Sequence, residues 1–208
     1  MLVASVALLH DVIKSLPVPG QAPELVQRML GVLPEPARTI VALAAFTGLR
    51  KAEIRGLRWE DYRDGQLHVT RSMWRTLIND PKTRASKAPI PIIPKLAAML
   101  APMRKTSGPM FAGKKGKPLQ LDNLYRRTMK DILEASKIPW YGWHAFRRGL
   151  ATLLNERGTD VKTVQGIMRH REPAVTLDHY IQTSEKLQRD ALGKINELCT
   201  PCAPERVN

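Results

Sequence analysis

The chain has 208 residues, 43% of them hydrophobic, enough to bury one sizeable core but too few for two complete domains. Lys and Arg number 33 against 19 Asp and Glu, a formal charge of +14 with an isoelectric point near 10.2, so the long-range field favours a polyanion, nucleic acid ahead of an anionic membrane surface. No apolar run approaches the roughly 20 residues that a bilayer span requires, and the opening MLVASVALLHD lacks the basic start of a secretory signal. A cytoplasmic protein with no membrane partner is expected.

Residues 2–16 carry a helical apolar pattern and meet LPVPGQAP, a Pro and Gly stretch that reads as a linker, so residues 1–22 are expected to form an N-terminal helix remnant and linker. PELVQRMLGVL then has helical spacing, and RTIVALAAFTG is an apolar helix that stops at Gly48. KAEIRGLRWED restarts a short helix. Between Gln66 and Pro94 the pattern turns to alternation, with QLHVTRSMW, the polar turn NDPKTRASK and APIPII, which predicts a hairpin or small sheet with a basic connection. KLAAMLAPM returns to helix and precedes the basic turn KKGKP; LDNLYRRTMKDILEAS follows as a helix with Asp122 as its cap. WHAFRRGLATLLNERG, DVKTVQGIMRH and SEKLQRDALGKINEL supply three more helices. The expected fold is mainly α with a small antiparallel β-sheet, an α+β arrangement over residues 23–198. The two cysteines, Cys199 and Cys202, lie in the tail CTPCAP; a zinc site would need two further ligands at matching spacing and none is evident, so no metal is expected and residues 199–208 read as a flexible tail.

Three segments carry chemistry. In TGLRKAEIRGLRWED, Gly48 ends one helix and sets Arg50 at the mouth of the next, where backbone N–H groups and a guanidinium meet a phosphate well. Glu53 is placed to orient Arg50 through a salt bridge or to be an ordinary surface charge. In WHAFRRGLAT, His144 and Arg147 are three apart and share a helix face, which suits a proton-transfer group beside a phosphate clamp; Arg148 points elsewhere, to a DNA-backbone contact or to solvent. In IMRHREPAVTLDHYIQ, His170 closes one helix and Tyr180 follows a Pro-initiated turn, with His179 beside it read as packing or solvent-facing. Taken singly, each motif is equally the mark of a capping or surface residue.

The joint order is more specific: Arg in T-G-x-R-x-x-E, a hairpin Lys, H-x-x-R, His and then Tyr resembles the signature of the tyrosine recombinase or phage integrase family, over about residues 23 to 195. The resemblance implies the tyrosine recombinase catalytic-domain fold, with Arg50, Lys82, His144, Arg147, His170 and Tyr180 catalytic and Glu53 supporting Arg50. Lys87 is the second candidate for the hairpin lysine. Arg84, Lys87, Arg148, Lys114 and Lys115 are expected to track the DNA backbone. It also implies site-specific cleavage and rejoining of double-stranded DNA through a 3′-phosphotyrosine, no cofactor and no metal, a homo-oligomer (tetramer) on DNA that is a monomer in isolation, and the DNA recombination and integration work of phages and other mobile elements. Family members usually carry an N-terminal helical domain that closes a clamp around DNA; only a fragment of one fits before Pro23. Two positions depart from the pattern. The usual L-G-H reads Met168-Arg169-His170, where Arg169 either alters packing or adds a phosphate contact, and Ala145 follows His144 where an Asp is common. The alternatives are a catalytically impaired architectural DNA-binding protein with this fold and a type IB topoisomerase-like enzyme, the latter disfavoured because that family usually has lysine in place of His144.

Overall fold

In the computed structural model, residues 23–80 and 88–169 are described. The core is organised around one helix. RTIVALAAFT is apolar over most of its surface, and a helix of that kind is stable only when largely surrounded. It forms α2, Ala37–Thr47, in which Ile40, Val41, Ala42 and Leu43 have no solvent exposure. Around it pack α1, Pro23–Val32, α4, Pro94–Leu100, and α7, Trp143–Glu156. α1 turns Leu25, Val26 and Met29 inward and leaves its polar face outside. Pro94 opens α4, where its missing N–H costs nothing.

α2 stops at Gly48, whose backbone is left-handed (φ 63°) and whose N–H closes on the Ala44 carbonyl at 3.1 Å. The chain turns at once into α3, Lys51–Gly56. After a 3-10 turn over Trp59–Asp61 come two small antiparallel sheets. In the first, β1 (Tyr62–Arg63) and β2 (Gln66–Leu67) are joined by Asp64-Gly65, both at positive φ, the two-residue turn that matches strand twist. β2 pairs in turn with β5, Ile90–Pro91, in the register Leu67 to Ile90. The second sheet is the hairpin of β3 (Ser72–Trp74) and β4 (Leu77–Asn79). Arg55 anchors it to α3, donating to the Met73 carbonyl at 3.1 Å and to the Arg75 carbonyl at 2.7 Å.

The mainly helical arrangement with small antiparallel sheets follows the sequence expectation, with one difference. The segment between Gln66 and Pro94 contributes to two sheets, because β2 pairs with β5 while β3 and β4 pair as their own hairpin.

The LDNLYRRTMKDILEAS helix also needs correction. It consists of α5, Leu121–Leu124, a π-helical turn over Tyr125–Met129, and α6, Lys130–Ala135. Asp122 does not cap it. Gln120 holds the cap position without a side-chain bond, and the Asp122 carboxylate pairs instead with Lys51 Nζ at 3.0 Å. The cap position is two residues before Asp122, so that side chain lies past it and meets a cation from another element instead. The last described helix, α8, Val161–Met168, starts at a true cap, with Asp160 accepting from the Thr163 N–H at 2.9 Å. α7 and α8 share a small apolar contact of Ala151, Val164 and Met168. The expected helices at residues 2–16 and in SEKLQRDALGKINEL lie outside the described residues.

A buried arginine cluster beneath a cationic cleft

The site is built where three parts of the chain meet: the α2–α3 turn, the body of α7 and the end of α8. At the first, Arg50 sits just before α3 in extended backbone (φ −72°, ψ 148°). Glu53, three residues on, reaches back so that its Oε2 accepts from the Arg50 N–H at 2.7 Å, satisfying a donor that the helix leaves open. Its Oε1 accepts from Arg50 Nη1 at 2.9 Å. Glu53 is buried while the Arg50 side chain is 41% exposed, so the carboxylate holds the guanidinium by its base and leaves its outer edge open.

Arg147 enters from α7 and is 3% exposed. Its Nη1 donates to the Gly48 carbonyl at 2.6 Å and its Nη2 to the Met168 carbonyl. One guanidinium thereby joins the end of α2 to the end of α8. Among the described residues these two bonds occupy two of its five N–H donors. Burial first, and then the like charges of Arg50 and Arg169 against the attraction of Glu53, pull the Arg147 guanidinium down to about 9, so it remains charged at neutral pH.

Arg169 completes the cluster. Its backbone is left-handed (φ 53°) and its side chain is 1% exposed, with Nη2 on Glu53 Oε2 at 2.6 Å. Of the two expectations for Arg169, the described contacts match a packing role, with the side chain turned inward on Glu53. Burial pushes the Glu53 carboxyl up, but Arg169, the Arg50 N–H and the Arg50 and Arg147 charges outweigh it and hold the group below the usual carboxylate range.

Arg50 also lines a cleft of about 540 Å³, together with Lys51, Arg126, His144, Asp122, Tyr125, Trp140 and Tyr141. His144 is exposed on its lip, one turn before the buried Arg147 on α7. Tyr125 stacks on Trp140 with centroids 4.8 Å apart, and Trp140 meets Trp143 edge-on, so an aromatic wall fixes the start of α7 against the π-helical turn. Asp122 is the one carboxylate in the lining and is paired with Lys51, so the cleft is net cationic.

The structure thus brings together Arg50, Glu53, His144 and Arg147. Arg148 is half-buried on α7, and Lys114 and Lys115 are exposed on a turn closed by the Gly113 N–H on the Lys117 carbonyl. Lys82, Arg84, Lys87, His170 and Tyr180 lie outside the described residues. Sequence reasoning missed Lys51, Arg126 and the Tyr125–Trp140 wall. The aromatic spacing of WYGWH before His144 was the available signal for the wall.

The fold is that of the tyrosine recombinase catalytic domain. The described arrangement is similar to the integrase of transposon Tn1549 solved in complex with circular intermediate DNA (TM-score 0.67, 22% identity, 85% of this chain and 64% of that one). It is also similar to the XerA recombinase (TM-score 0.61, 16% identity, 83% and 61%). The chain belongs to the phage integrase family, whose model matches residues 19–186. Among characterised relatives it is 28% identical over 193 residues to a XerC-like tyrosine recombinase of Caldanaerobacter subterraneus subsp. tengcongensis, covering 77% of this chain and 49% of that protein. It is 23% identical over 198 residues to the ICEBs1 integrase of Bacillus subtilis, covering 85% and 54%. The chain therefore spans about half the length of these relatives.

Proposed function

We propose that the chain is the catalytic part of a site-specific recombinase that cleaves and rejoins double-stranded DNA through a covalent link to Tyr180. The observation that carries this is the arginine cluster that reaches the cationic cleft through Arg50: two arginines from distant parts of the chain, Arg50 and Arg147, are held by one carboxylate and by backbone carbonyls, and Arg50 lines the cleft. A phosphodiester resists attack because its charge repels nucleophiles and its alkoxide leaves poorly, so its cleavage calls for fixed cations and a proton donor.

In the proposed reaction the Tyr180 hydroxyl attacks phosphorus, and the bond from phosphorus to the 5′-oxygen breaks. A 3′-phosphotyrosine and a free 5′-hydroxyl result. Arg50 and Arg147, with His170, stabilise the non-bridging oxygens as negative charge builds in the pentavalent transition state. His144 accepts the tyrosine proton, and Lys82 supplies one to the leaving oxygen. The phosphoester bond energy is kept in the covalent intermediate, so attack by another 5′-hydroxyl reverses the chemistry and joins a new strand. Arg84, Lys87, Arg148, Lys114 and Lys115 are assigned to phosphates along the duplex, residues 23–198 to the catalytic domain, and a tetramer to the assembly on DNA. The Tn1549 integrase structures contain that protein's DNA, which supports the same partner here.

Covalent trapping tests the proposal. The chain is incubated with nicked suicide duplexes drawn from its genomic flanks and assayed for a denaturant-resistant protein–DNA adduct. An adduct that is absent with Tyr180→Phe is expected. Binding without an adduct on every duplex would instead make the protein an architectural DNA binder.

A further inference from the structure

Arg169 stands at a position where two features of the chain work against an arginine. Its backbone is left-handed (φ 53°) at the end of α8, a place where glycine is favoured because it has no Cβ. Its long cationic side chain is also withdrawn from water to 1% exposure, which is unfavourable unless the charge is paired. The compensating contact is Glu53, at 2.6 Å from Nη2. The same carboxylate carries Arg50, through Oε1 on Nη1 at 2.9 Å and Oε2 on the backbone N–H at 2.7 Å. The residue before Arg169, Met168, accepts from Arg147 through its carbonyl. One turn of backbone therefore reaches both arginines assigned above to the phosphate, Arg50 through a side chain and a shared carboxylate, Arg147 through the main chain.

We propose that Arg169 is a positioning residue that balances the Glu53 carboxylate, so that Arg50 and Arg147 both present their charge to the scissile phosphate. This rests on the strand-transfer function proposed above. Among the described residues, three guanidiniums and one carboxylate give the cluster two net positive charges, and without Arg169 Glu53 would cancel one of the remaining pair. A phosphodiester carries one negative charge and gains more as it becomes pentavalent. Extra positive charge held rigidly nearby therefore favours the transition state over bound substrate. Arg169 itself does not touch DNA.

The test uses the full 208-residue chain on the nicked suicide duplex. Adduct formation is timed at saturating DNA, duplex affinity is measured separately, and thermal melting reports the folded fraction. Arg169→Gly relieves the backbone and removes the charge. Its adduct rate per folded molecule is expected to fall roughly 10- to 100-fold, the range for groups that orient a site's contact residues, with affinity changed by less than about twofold. Arg169→Lys, which keeps the charge, retains more of the rate than Arg169→Gly. Adding Glu53→Gln to Arg169→Gly removes the unbalanced carboxylate and recovers part of the loss, which a merely structural role would not produce. A rate equal to wild type in Arg169→Gly, or a loss explained by melting alone with no recovery in the double variant, overturns the proposal. If the wild-type chain itself forms no adduct, the strand-transfer function fails, and the positioning role at a scissile phosphate fails with it. The charge balance is then judged by NMR titration of the Glu53 carboxyl carbon. A midpoint that rises in Arg169→Gly upholds the pairing, and one that stays put removes it.

Discussion

Glu53 is the residue on which the cluster turns, since its two oxygens hold Arg50 and Arg169 while Arg147 lies close enough to feel its charge. Its carboxyl titrates below the ordinary value of about 4.3. A carboxyl depressed in the folded state contributes stability that is fully present above the unfolded value and is lost as pH falls through the folded value. Urea denaturation stepped down from pH 7 should therefore show stability falling below about pH 4 as Glu53 protonates. Glu53→Gln should be less stable at pH 7 by about 3 kcal/mol, because it removes the carboxylate that pairs with the buried Arg169. That variant should also lose less stability over the acid window, and an unchanged acid slope would remove Glu53 from the account.

At the scale of elements, the α2–α3 turn decides whether the cluster can form. Gly48 has a left-handed backbone, its carbonyl accepts from Arg147, and a Cβ there would stand 3.0 Å from Met168 Cε and 3.3 Å from Leu150 Cδ2. Helix end, arginine clamp and α7–α8 contact all converge on one residue with no side chain. Gly48→Ala should cost roughly 1–2 kcal/mol from the backbone conformation alone, with the methionine end giving way to the new methyl. Chemical denaturation measures the cost, and a loss under about 0.5 kcal/mol would mean that the turn relaxes freely. The β3–β4 hairpin is held differently, by Arg55 on two backbone carbonyls, and presents Trp74, Leu77 and Ile78 outward. Trp74 lies 5.7 Å from Lys51 Nζ at the edge of the cleft.

At the scale of the whole molecule, a formal charge of +14 gives a long-range field that favours a polyanion such as the proposed DNA partner. Each phosphate neutralised by a Lys or Arg adds about 0.9 to the slope of log affinity against log salt on duplex DNA. If Lys114 and Lys115 track the backbone as proposed, replacing both with Ala should flatten that slope by about 2 and weaken all sequences alike. A slope equal to wild type would make the KKGK turn a solvated loop. Among the described residues no helix is long and apolar enough to cross a membrane.

The sequence by itself determined the charge, the order of helices and strands around a mostly apolar α2, and the separated motifs that mark the family. These are properties of local periodicity and composition, which survive without knowing which element meets which. Only the tertiary structure decided that Arg147 bonds to Gly48, 99 positions away, and that Arg169 bonds to Glu53, 116 positions away. Helical spacing placed His144 and Arg147 near one face but did not say that one would line a cleft while the other was buried on two backbone carbonyls. It likewise offered Asp122 as a cap, when its carboxylate pairs with Lys51 across the cleft. The reason is common to all of these: a charged side chain goes to the best counter-group within reach, and reach is set by how distant elements pack.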